Sequence, residues 1–211
     1  MAQRANVVPI MAGEWDGGAH PYAIGHKKLA MWLFILSDSM TFSALLVGYS
    51  YVRVAAKTWP TPFHFWPSVV TATVMTLVLL SSSLTMVLAV NAARRQDRGG
   101  AMRYLLVTAG LGLAFIVLHL NEWMDLIHEG VRLWQNPWGV PLFGATFFTL
   151  TGLHMTHVAC GVVYLVCVSI GVSRGISNAD DVEVSGLYWH FVDLVWMFVF
   201  PLVYLLSVGG H

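Results

Sequence analysis

The sequence predicts an all-α polytopic membrane protein: five transmembrane helices in one bundle, N-terminus inside and C-terminus outside. Three observations carry this. Of 211 residues, 57% are apolar and only 10% are charged, whereas a soluble domain carries about 25% charge. Mean hydropathy is +0.67. Five stretches nearly free of charge are long enough to cross a bilayer, which takes about 20 residues as a helix. A helix satisfies its own backbone groups in lipid. Barrel strands would be about half as long and would alternate.

Residues 1–28 read as a cytoplasmic arm. Glu14 and Asp16 interrupt it, and it lacks the apolar core of a signal peptide. Residues 29–210 form the transmembrane domain, with spans at about 29–53, 66–93, 103–127, 141–173 and 184–208. The first holds one charge, Asp38. The third turns acidic at Glu122. The stretch from Val140 to Ser173 has no Asp, Glu, Lys or Arg. The fifth holds Asp193. Gln96 to Gly100, Asn136 to Gly139 and Asn178 to Glu183 read as short turns.

Orientation follows from basic residues, which favour the inside. One side gathers Arg4, Lys27, Lys28, Arg94, Arg95, Arg98, Arg103 and Arg174. The other has Arg53, Lys57 and Arg132. Trp59, Trp66, Trp134 and Trp138 fall in the two loops of the outer side, where an aromatic belt belongs. Eleven basic residues balance eleven acidic ones, so nucleic acid is not an expected partner. Two cysteines cannot define a disulfide scaffold.

The informative residues are polar groups placed where lipid should be. Asp38 lies about 15 Å into its helix, at 1.5 Å per residue. A charge at that depth costs roughly 2.5–3.5 kcal/mol, so it must face protein or water. It reads either as a proton-linked carboxylate or as a protonated packing residue. His119, Glu122, Asp125 and Glu129 share one helical face. Much of that stripe reads as solvated near the helix exit, with Glu122 its deepest acid. His154 and His157 stand one turn apart and could ligate metal, or could hydrogen-bond helices or lipid headgroups. Gly152, Thr156 and Cys160 form a small-residue stripe suited to close packing, and Cys160 and Cys167 read as core. Glu183, Gly186, His190, Asp193 and Met197 lie along one face. There His190 and Asp193 are spaced to pair and offset each other's desolvation. Pro201 is expected to disturb the last turns. No phosphate loop, nucleophile triad or CxxC site is present, and the histidines do not announce a haem ligand pair.

Four segments, in order, resemble subunit III of the haem-copper respiratory oxidases. They are HKKLAMWLFILSDSMTFSALLVGYSYVR (residues 26–53), HLNEWMDLIHEG, GATFFTLTGLHMTHVACGVVYL and EVSGLYWHFVDLVWMFVFPLVYL. The third resembles the family's TGxHxxHV helix and the last its YWHFVDxVW signature. Asp38 stands where the family usually has a buried Glu, one methylene longer.

The resemblance covers about residues 26–208. It implies five helices that correspond to the last five of the seven-helix members, whose lipid cleft this chain alone does not complete. It also implies an accessory, non-catalytic subunit of a proton-translocating terminal oxidase of the bacterial cytoplasmic (inner) membrane. The whole complex reduces O2 to water in aerobic electron transport. Haem and copper are then expected in partner subunits and none in this chain, with bound phospholipid an expected companion. Subunit I is the expected direct partner. Subunit II, membrane lipids and other respiratory complexes are further candidates.

The matching positions, Asp38, Glu122, His154, His157, Glu183, His190 and Asp193, are expected to be buried polar, proton-environment residues rather than catalytic ones. His154, His157 and Trp189 are expected at lipid or helix contacts. Cytochrome c oxidase is the leading form, with a quinol oxidase or nitric oxide reductase-associated subunit as alternatives. Outside the family stand an intramembrane metalloenzyme using Glu122, His154, His157 and His190, and a proton-coupled transporter centred on Asp38.

Overall fold

The computed structural model describes residues 25–208. Most of the expected arm lies outside the described residues. Five long helices account for most of the described residues. They are α1 (His26–Ala55), α2 (Val70–Arg94), α3 (Arg98–His128), α4 (Pro141–Ser173) and α5 (Ala179–Val199). Each is long and apolar enough to cross a membrane.

Several helices start before the apolar stretch that announced them. α1 begins at His26, α3 at Arg98 and α5 at Ala179. Local capping sets two of these starts. The Asp97 side chain accepts from Gly100 N at 2.9 Å. Asn178 and Asp181 form a reciprocal capping box, both bonds at 3.0 Å, which satisfies donors that a helix start leaves free. Gly175, at φ +71°, stops α4 in a conformation glycine adopts without strain. The turn expected at Asn136 closes as the Asn136 side-chain Oδ1 accepts from Trp138 N and Val140 N. α5 relaxes into a wider π turn at Phe200–Tyr204, where Pro201 offers no backbone donor.

α2, α3, α4 and α5 close on one another: α2 against α3 and α5, and α4 against α3 and α5. α5 is the most enclosed helix. α1 leans on α4 and α5 from outside and is the least enclosed. Trp189 of α5 locks the four inner helices. It is fully buried and donates to Ser82 Oγ of α2 at 2.9 Å. Its ring lies against Gly112 of α3 and Gly161 of α4, where a Cβ would come within 2.5 Å and 2.8 Å of it. Small residues are what let helices close on a large ring.

The stripe of Gly152, Thr156 and Cys160 does not serve this purpose. Gly152 faces Trp123, but Thr156 and Cys160 are exposed. Each step of four residues overshoots a helical turn by about 40°, so the stripe rotates out of the interface. Cys160 and Cys167 are therefore not core; both lie on the exposed surface.

Candidate functional site

Three groups of polar side chains sit at different heights in the bundle. The first joins α1 to α4. Asp38 Oδ2 lies 3.1 Å from His157 Nε2, with both side chains largely shielded. His157 Nδ1 meets the Leu153 carbonyl oxygen at 2.8 Å. A carbonyl only accepts, so Nδ1 carries a hydrogen. A neutral ring would then turn the Nε2 lone pair toward the carboxyl oxygen. The contact sets an acid beside a base between α1 and α4. Phe42 packs edge-on to the His157 ring at 5.2 Å, and Tyr188 OH donates to the His157 carbonyl at 2.9 Å.

The second group lies inside α3, α4 and α5. Glu122 is buried and accepts from Tyr204 OH at 2.9 Å. His119 and His154 are completely buried. Both flank the same two rings: Phe115 at 5.6 Å from each, and Trp196 at 5.5 Å from His119 and 5.3 Å from His154. Trp196 Nε1 donates to Thr76 Oγ1 at 3.0 Å. Asp125 and Glu129, the rest of the acidic stripe, are exposed.

The third group marks the basic end of the bundle. Glu183 is ion-paired with Lys28 of α1 and with Arg94 of α2, the latter at 2.8 Å. Asp181 pairs with Lys27 at 2.6 Å. Deeper on α5, His190 Nδ1 meets Ser83 Oγ of α2 at 2.7 Å. Asp193 is buried, and Ser83 lies beside it too. At the opposite end, Ser207 Oγ contacts Tyr49 OH at 3.2 Å and accepts from Trp59 Nε1 at 3.4 Å. Arg53 donates to the Leu202 and Leu206 carbonyls. α1 is therefore held at both ends and near its middle.

The structure corrects several expectations. His190 and Asp193 do not pair, because His190 turns to Ser83 on the neighbouring helix. Of the two alternatives left open for His154 and Trp189, lipid or helix contact, complete burial leaves helix contact. Glu183 is only partly shielded, being drawn to the bundle end by two cations. Glu122, His154, His157 and His190 do not converge as ligands. Among the described residues no three His, Cys, Asp or Glu side chains come together as a metal site.

Sequence reasoning paired neither Asp38 with His157 nor Glu122 with Tyr204. Tyr204 gave no distinct signal, because a tyrosine near a span end reads as an interfacial aromatic. Ser83 and Thr76 were equally silent among many hydroxyls.

Residues 10–208 match the sequence model of the family described as cytochrome c oxidase subunit III. The chain is 33% identical to cytochrome c oxidase subunit 3 of Alkalihalophilus pseudofirmus, over 88% of this chain and 89% of that protein. It is 32% identical to quinol oxidase subunit 3 of Bacillus spizizenii, over 86% and 88%. It is 31% identical to cytochrome c oxidase subunit 3 of Bacillus sp. PS3, over 88% of each.

Proposed function

The chain belongs to the cytochrome c oxidase subunit III family, and on that premise we propose that it docks on the haem- and copper-bearing subunit I of a bacterial terminal oxidase and sustains that subunit's proton uptake and stability. It is an accessory subunit of a haem-copper oxidase. Oxygen reduction belongs to the whole complex, with haem and copper carried by partner subunits. Subunit II and other respiratory complexes are the further partners in this reading.

The observation that carries the finer reading is the Asp38–His157 contact. An acid and a base meet at 3.1 Å deep in the membrane span. They do so where α1, the helix its own chain encloses least, packs on α4. Buried ionisable groups of this kind are expensive in lipid and mark proton-handling or packing sites. Relatives acting with cytochrome c and with quinol match almost equally, at 33% and 32%, which suits a subunit that does not touch the electron donor.

The bacterial relatives support placement in the cytoplasmic membrane, and the asymmetry of basic residues supports an inside N-terminus. In this reading the expected phospholipid lies along the groove between α2 and α5, with Val87, Val90 and Leu187 as its apolar walls and Arg94 at its rim.

The test is affinity purification of the tagged chain from its native membrane with mass spectrometry of what accompanies it. A haem-copper subunit in stoichiometric amount is the expected result. Purification of the folded chain without one would refute the reading.

A further inference from the structure

Eight buried side-chain polar atoms find no hydrogen-bond partner among the described residues, three of them on Asp38 and Asp193, and the other five belong to three residues of α3 and α4. These five are Nδ1 and Nε2 of His119, Nδ1 and Nε2 of His154, and Oε1 of Glu122. Buried polar groups in folded proteins are almost always satisfied, so something must complete these. Among the described residues, the donors around them are committed elsewhere. Trp196 Nε1 is committed to Thr76. Trp123 Nε1 donates to Thr151 Oγ1 at 3.3 Å, and Thr151 itself donates to the Phe147 carbonyl at 2.7 Å. Tyr204 OH is spent on the other oxygen of Glu122. The two imidazoles do not bond each other either; both lie against the faces and edges of Phe115 and Trp196.

A partner subunit is excluded by burial, since His119 and His154 have 0% exposure inside this chain. A metal ion would require a third converging ligand, which the described residues do not bring. What remains is a guest small enough to be enclosed, able both to donate and to accept. We propose that His119, His154 and Glu122 form an internal water-binding site enclosed by Phe115, Trp123, Trp196 and Tyr204.

Two neutral imidazoles present two N–H donors and two lone pairs, and Glu122 Oε1 adds an acceptor. A buried water typically makes about three hydrogen bonds, so about two molecules satisfy all five atoms. The water would link an α3 carboxyl, an α3 imidazole and an α4 imidazole into one polar unit.

The tagged chain, purified with whatever subunits accompany it, tests this by electron cryomicroscopy at a resolution that shows ordered solvent. The expected result is solvent density within hydrogen-bond distance of at least two of the five atoms. A direct His119–His154 bond, a metal, or dry apolar packing around the rings would overturn it. Infrared difference spectra in H2¹⁸O against H2¹⁶O give a second readout. Bands of internal water that shift with the isotope should be lost in His119→Leu and retained in His119→Gln. An isotope response that His119→Leu leaves unchanged would overturn the site. If the leucine variant fails to assemble, the wild-type density decides alone.

Discussion

His157 has already committed one ring nitrogen to the Leu153 carbonyl, and that commitment decides what its partner can be. Asparagine at position 38 can donate an amide hydrogen to Nε2, whereas leucine cannot. Asp38→Asn is therefore expected to keep assembly and oxygen reduction mostly intact, its effect confined to turnover lifetime or pumping. Asp38→Leu should cost roughly 1–3 kcal/mol by leaving a shielded nitrogen unpaired. Thermal release of the chain from the purified complex separates the two. Equal loss in both variants would mean that the carboxyl charge itself holds α1 to α4. Tyr204→Phe tests Glu122 in the same way. It removes the one donor to the carboxyl among the described residues and should also cost roughly 1–3 kcal/mol, read as a lower midpoint of thermal unfolding.

Between elements, the glycines against Trp189 matter more than any charge. Gly161→Ala would push a methyl group into the indole, and overpacking of this kind costs roughly 1–3 kcal/mol. Trp189→Ala would empty the junction of four helices, at roughly 3–5 kcal/mol. Unfolding in detergent should rank the two in that order. The ties at the basic end should behave differently. Glu183 and its partners are open to solvent, and exposed pairs contribute little and are screened by salt. Glu183→Gln should therefore loosen α1 only slightly, with a loss that shrinks as ionic strength rises. A large, salt-independent loss would show that this end is enclosed in the complex.

Helix positions were legible in the sequence because hydropathy reports on lipid directly. Partners across helices were not. Spacing reveals which residues share a face, so it grouped His119 with Glu122 and suggested His190 with Asp193. It cannot reveal that α4 brings His157 to Asp38, or that α2 offers Ser83 to His190. The small-residue stripe misled for the same reason. Gly112 and Gly161 were the glycines that mattered, and only the position of Trp189 between them shows why.

At the scale of the whole molecule, four helices make a closed bundle and a fifth is fastened to its side at three heights. Such a body offers a neighbour a preformed apolar surface while keeping its polar groups enclosed. Its basic end should face the cytoplasm. A reporter fused to the N-terminus should resist protease in intact cells and become accessible on permeabilisation, and protection in the reverse sense would invert the topology. The central claim is that electron chemistry belongs to the neighbour. The most direct measurement is the optical spectrum and metal content of the purified complex before and after this chain is separated from it. Haem and copper should remain wholly with the larger subunit, and this chain should carry neither. Haem or stoichiometric metal that stays with the isolated chain would contradict the account.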